Sequence, residues 1–462
     1  MSIDVESPPH TVTAAPPGSA DAAAAGAEPD PAAAVVVSAP DAAAAGRLFD
    51  VIARILGTRR WQLRAWNGAV AGDRTAPSFV IAVHSRRGVD RLLDVVPDRG
   101  FGRAYVEGDL DVEPLEPFFE AVHRIPRARL IGAVPGLLRA AIGLGARPAL
   151  QSLASEAQLR GRRHSQRRDS AAVRFHYDLP PEFYALWLDS TLTYSCAYFV
   201  DADDSLDRAQ TAKLDLVCRK LRLQPGERLL DIGCGWGSLV LHAAAHYGVH
   251  ATGVTLSPRQ AELARRRAGE RGLADRVIVR VADYREELGG GYDAIASIGM
   301  FEHVGRGRMG AYARCLRDGL RPGGRVLNHG ITTWPHEPGH SPFLDSFIFP
   351  DAELQELGSV VSRLHEAGLE VRDVESLREH YTLTLGHWVD RLRRREAEAI
   401  ALVGTERVRA WRFYMTASKV GFRLNSTSVH QVLAVRADAA GGSGLPLTRT
   451  DWYTDAHRGR GR

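Results

Sequence analysis

The apolar positions of this chain are unevenly spread. Residues 1–46 are mostly Ala, Pro and Gly with scattered acids such as Asp4, Glu6, Asp21, Glu28, Asp30 and Asp41. Such a stretch has too little large apolar area to offset its ordering entropy, and it reads as a disordered tail. From Leu48 apolar residues fall at helical spacing (Leu48, Val51, Ile52, Ile55), followed by a strand-like SFVIAVHS at 78–85 and a helix near 115–123. This predicts a small N-terminal α/β domain over 47–150. The stretch RGRRHSQRR at 160–168 has no apolar periodicity, which predicts a solvated basic linker over 151–170. The competing reading is contact with an anionic membrane, because clustered arginines gain about 1 kcal/mol each near acidic headgroups.

From 171 to 437 strands and helices alternate. ERLLDIG, VHATGVTLS, RVIVRVAD and YDAIASIG read as strands, and GSLVLHAAAHY and PRQAELARRRAGERG as the helices between them. That βαβα order predicts a mostly parallel sheet covered on both faces. Residues 438–462, with GGSG and RGRGR, read as a flexible tail.

Composition adds limits. A chain of 462 residues exceeds what one core usually holds, and 45% hydrophobic with 25% charged residues is ordinary for a soluble protein. A net charge of +4 does not point to nucleic acid. The four cysteines (Cys196, Cys218, Cys234, Cys315) show neither CxxC pairing nor a His at ligand spacing, so no metal is expected and the compartment reads as a reducing cytoplasm. No Lys or Arg precedes Arg47, and the most apolar segment, Ile131 to Ile142, is broken by Pro135 and Arg139.

The glycine-rich LLDIGCGWGS at 229–238 follows a strand and opens a helix, a context in which glycines admit a ligand close to the backbone and the helix start offers free N–H groups. A dinucleotide site would carry an acid at the end of the next strand. GVTLS at 253–257 has none there. The D-x-G-x-G-x-G pattern resembles motif I of S-adenosylmethionine (SAM) dependent methyltransferases.

FHYDLPPEFYALWLDSTLTYSCAYF (175–199), GVTLSPRQ (253–260), SIGMFEHVG (297–305) and HYTLTLGHW (380–388) together resemble cyclopropane-fatty-acid synthases and the related mycolic-acid methyltransferases. The likeness extends more weakly to GRAYVEGDLDVEPLEPFF at 102–119. It implies a Rossmann-like class I methyltransferase domain that transfers a methyl group from SAM to the double bond of an unsaturated phospholipid acyl chain. The implied cofactor residues are Tyr194, Ser195, Gly233, Gly235, Thr255, Leu256, Gln260 and Asp283. A bound bicarbonate would be the base, held by Glu302, His329, Ile331, Tyr381 and the backbone of Cys196. His303 would support Glu302, and His176 and Asp178 would order the loop beside the cofactor.

Methylation of an alkene leaves a carbocation, so the site must be dry and lined by aromatic faces; Tyr177, Tyr194, Tyr198, Phe199 and Phe301 are candidates. Cys196 has no nearby base to activate a thiolate. One departure stands out, since Asn328 precedes His329 where the family has an apolar residue. An amide there puts the product in question, with methyl or methylene branching as the alternative to cyclopropanation; C-methylation of a small molecule is the other alternative. The expected partner is an unsaturated phospholipid, met by peripheral contact at the inner face of an anionic membrane. A homodimer is compatible with the sequence.

Overall fold

The computed structural model describes residues 39–57, 60–92, 97–143, 145, 152–286, 289–335, 337 and 341–453. The N-terminal unit is a four-stranded sheet in the order β2-β1-β3-β4, made of β1 (Trp61–Ala65), β2 (Val70–Gly72), β3 (Phe79–Val83) and β4 (Leu110–Glu113). β3 alternates buried and half-buried residues, as a strand covered on one face does.

The C-terminal unit is an eight-stranded sheet whose main path runs β11-β12-β9-β8-β5-β6-β7. Its strands are β5 (Arg228–Ile232), β6 (His250–Thr255), β7 (Val277–Val281), β8 (Tyr292–Ile298), β9 (Leu320–Thr333), β10 (Gln355–Glu356), β11 (Glu370–Ser376) and β12 (Thr427–Val435). β5 to β9 pair in parallel, whereas β12 runs antiparallel to both of its neighbours, β9 and β11. β5 and β8 are buried almost end to end because helices cover both faces. The connections reverse direction between β5 and β8, so a crevice opens at their C-terminal ends.

The two units are pinned together along the Thr405–Arg423 helix. Arg409 and Lys419 donate to Asp111 (2.6 Å) and Glu116 (2.8 Å), and Arg412 and Arg423 pair with Glu113 and Glu120. Between these pairs the Phe413 ring packs on Phe101, Tyr105, Phe119 and Phe343.

Three expected boundaries move. The tail is shorter than predicted, since a helix begins at Ala39 (Ala39–Leu56); residues 1–38 lie outside the described residues. The basic stretch is not a free linker: Arg163 and Arg168 bind the Asp351 carboxylate at 2.9 and 2.5 Å. The buried Glu156 accepts from Arg103 and closes the N-terminal unit. The C-terminal stretch is docked as far as Tyr453, with Trp452 buried, Lys220 over its ring and Arg449 bound to Asp373.

Candidate active site

A cavity of about 580 Å³ starts at the crevice and reaches the interface with the N-terminal unit, where Phe119, Phe343 and Phe413 line it. All the residues expected to bind cofactor or bicarbonate line this one cavity. Most come from the C-terminal end of a strand or the segment after it, while Tyr381 comes from the Arg378–Arg394 helix and Gln260 from the first turn of the Pro258–Glu270 helix.

After β5 the chain turns sharply so that the N–H groups of Gly233 and Cys234 both donate to the Val254 carbonyl (2.9 and 3.0 Å). Asp231, at the end of β5, is fully desolvated, which pushes its carboxyl up to about 7, and its Oδ1 has no protein partner. Beside it Lys213 donates from Nζ to Ser195 Oγ at 2.9 Å; burial pulls its ammonium down to about 8. An unpartnered carboxylate oxygen and a buried ammonium, set at a loop with open space before Gly235, fit the ammonium and carboxylate of an amino acid such as the methionyl end of SAM. After β6, Thr255 Oγ1 bonds Gln260 Oε1 (2.6 Å), and Ser257 caps the next helix while donating to Asp178 (2.8 Å). The HYD segment is thereby tied to this loop. After β7, Asp283 is held by Arg285 through Nε at 2.7 Å.

The second half of the site lies between β8 and β9. Glu302 accepts from the Ile331 N–H at Oε1 (2.8 Å), leaving Oε2 buried and without a protein partner. Burial raises its carboxyl to about 7, against the lowering effect of that N–H. His329 lies opposite Gln431 across the ladder, 3.3 Å from Gln431 Nε2 to Nδ1. With that amide donating, the imidazole carries its hydrogen on Nε2, which also has no protein partner. Desolvation holds the ring neutral, well below its usual range. Two orphaned polar atoms, one able to share a proton and one a donor, fit a small oxyanion such as bicarbonate. Gly330 permits the arrangement, because a Cβ there would sit 2.1 Å from the Phe301 ring.

Several expectations shift. Tyr177 and Tyr194 line the cavity, but Tyr198, Phe199 and Phe301 do not; Tyr198 and Phe199 stack on His380 and His387. Tyr381 and, unforeseen, Tyr414 take their place, with the Tyr414 hydroxyl 3.2 Å from that of Tyr194. Asn328 faces away from the cavity, where its Oδ1 accepts from Tyr312 (2.7 Å), so it does not enter the oxyanion site. The Cys196 thiol is buried, raised far above its usual range by desolvation, and turned toward the Ala197 and Leu377 carbonyls. His303 is half-buried, its imidazole pulled down to about 4 by desolvation, with its ring against Tyr177.

Lys213, Gln431 and Tyr414 were missed. Lys213 left one signal, since it occupies a core-facing phase of its helix alongside Leu206, Ala209, Gln210, Leu214 and Val217. Gln431 left none without the sheet pairing.

The strand order, the glycine turn after β5 and the buried acid preceding it define a SAM-dependent methyltransferase of the Rossmann-like class. More narrowly, the chain belongs to the mycolic acid cyclopropane synthetase family, whose model matches residues 164–432. A "Probable fatty acid methyltransferase" of Pseudomonas putida is 38% identical over 398 residues, which are 85% of this chain and 96% of that one. The cyclopropane-fatty-acyl-phospholipid synthase of Escherichia coli is 32% identical over 338 residues, 73% of this chain and 83% of that one. Mycolic acid cyclopropane synthase CmaA1, solved with SAH and CTAB, is 36% identical, covers 57% of this chain and 97% of its own, and superposes with a TM-score of 0.55.

Proposed function

We propose that this enzyme methylates the double bond of an unsaturated phospholipid acyl chain and closes it to a cyclopropane, with bicarbonate as the base. The observation that carries this reading is the pair of orphaned atoms, Glu302 Oε2 and His329 Nε2, in the same cavity as the glycine turn. When bound, SAM supplies an electrophilic methyl group and bicarbonate supplies a base.

The chain's own residues then have distinct tasks. Asp231, Lys213, Ser195, Gly233 and Gly235 would hold the methionyl end, with Tyr194, Thr255, Leu256, Gln260 and Asp283 around the rest of the nucleoside. An alkene is a weak nucleophile, so fixing it against the methyl group supplies several kcal/mol of the barrier. The faces of Tyr177, Tyr194, Tyr381 and Tyr414 favour positive charge on the acyl chain without trapping it. Their hydroxyls stay protonated, because burial raises each above its usual range. Glu302, oriented by the Ile331 N–H and carrying a proton near neutral pH, would share it with the oxyanion, while His329 donates from Nε2 and the Tyr381 hydroxyl and Cys196 backbone complete the cradle.

A branching methyltransferase is the second reading. It is favoured by the names of relatives such as the tuberculostearic acid methyltransferase of Mycobacterium tuberculosis, 35% identical over 287 residues. Expression in a host with ordinary unsaturated phospholipids, with labelled methionine, tests both. Label in a ring resolved by NMR is the expected result, label in a branch selects the second reading, and no label in lipid overturns the proposal. Substrate of this kind calls for peripheral contact with an anionic membrane at its inner face; among the described residues no helix is long and apolar enough to cross one.

Cys196→Ala should retain activity to within about tenfold, or roughly 1.4 kcal/mol of barrier, because its backbone group is preserved and its thiol is inert. Rates at saturating SAM, with circular dichroism, check this. A well-folded but inactive Cys196→Ala protein would give the sulfur a chemical role.

A further inference from the structure

Of the five arginines at 160–168, Arg163 and Arg168 are engaged with Asp351, and the exposed Arg160, Arg162 and Arg167 have no exposed large apolar side chain among them, so the stretch offers charge without apolar area. A different surface has the required character. In the Arg127–Gly143 helix the inward side is small and packs on the Ala39–Leu56 helix: Ala140 is buried and Gly136 lies against Val51. The outward side exposes Leu130 (40%), Ile131 (72%), Val134 (41%), Leu138 (46%) and Ile142 (69%). Residues 131, 134, 138 and 142 form one stripe at helical spacing. Among the described residues the other exposed large apolar side chains are scattered along the chain, so this contiguous face stands apart.

Its charge selects the occupant. No acid occurs between Glu120 and Glu156, whereas Arg124, Arg127, Arg129 and Arg139 fall within that interval. Arg124, Arg129 and Arg139 are exposed. A second copy docked face to face would oppose arginine with arginine. An anionic bilayer instead matches both the stripe and its cationic margin. Pro135 and Arg139 within the helix suit lying in the interface rather than crossing it. His123, which lines the catalytic cavity, lies four residues before the helix starts, so a chain drawn from the bilayer would enter close by.

We propose that the exposed apolar face of the Arg127–Gly143 helix docks this enzyme on an anionic phospholipid bilayer, a statement that rests on the phospholipid reading above. The test uses the full chain and vesicles of equal parts unsaturated phosphatidylglycerol and phosphatidylcholine. Ile131→Ser/Ile142→Ser should lower partitioning by roughly ten- to hundredfold, from the apolar area no longer inserted. Turnover on vesicles should fall with it, and turnover on the same lipid dispersed in mild detergent should stay within about twofold. Equal partitioning of variant and wild type, or no partitioning of the wild type, overturns the proposal. So does a variant that sediments as a monomer where the wild type is a dimer while still binding vesicles, because the face would then join two copies. If the wild type partitions, the variant does not, and neither modifies lipid in any form, the docking surface stands and the phospholipid reading fails.

Discussion

Glu302→Gln is expected to lower turnover by about 10²–10⁴-fold while leaving the fold and SAM affinity as they are. The amide matches the carboxyl in shape, and its oxygen still accepts from the Ile331 N–H, at 2.8 Å in the native protein. What it loses is the capacity to take up and release the shared proton. The native carboxyl has that capacity near neutral pH because burial has raised it to about 7. The measurement is initial rate at saturating SAM, with calorimetry for SAM and circular dichroism for fold. Near-normal turnover would remove Glu302 from the chemistry.

The same residue sets a pH dependence. A carboxyl raised to about 7 carries its proton below that pH and loses it above. An ionised Glu302 facing bicarbonate would place two anions together in a desolvated site, with only the bicarbonate's own O–H to bridge them. The wild-type rate should therefore fall on the alkaline side, and the residual rate of Glu302→Gln should lack that limb. A wild-type profile flat through neutrality and above would count against proton sharing.

How much of this was legible depends on the range of the interactions involved. The β5 turn and its helix could be read locally, because apolar period and glycine spacing are local properties. The helix at Ala39 was read as tail because Ala-rich composition was weighed as low complexity, although Ala is the strongest helix former and Val51 and Ile55 gave that helix a face to bury. The engagement of Arg168 was invisible because Asp351 lies 183 residues away. By sequence adjacency to His329, Asn328 is expected beside the oxyanion site. Strand alternation sends its side chain to the opposite face, where Tyr312 bridges it to Ser297. The tautomer of His329 is set by Gln431, a pairing that exists only once β12 lies beside β9.

Gly235→Val is expected to abolish SAM binding, with no calorimetric signal at concentrations that saturate the wild type. Gly235 has φ of +53°, in the left-handed region, where a side chain costs roughly 1–2 kcal/mol and a β-branched one is least tolerated. A Cβ added there would meet no protein atom within 4 Å. The substitution therefore disturbs no packing, and the side chain would occupy only the open space that the ligand needs. The turn itself is anchored elsewhere, by Gly233 and Cys234 donating to Val254, so the protein should fold with a modest loss of thermal stability. Gly235→Ala separates the two effects. It carries most of the backbone strain but little of the bulk, and should weaken affinity without eliminating it. Loss of binding in both variants to the same degree would make backbone strain the cause. Unchanged affinity in a folded Gly235→Val protein would show that the open space before the glycine is not where the methionyl end lies, and the unpartnered Asp231 Oδ1 would need another ligand.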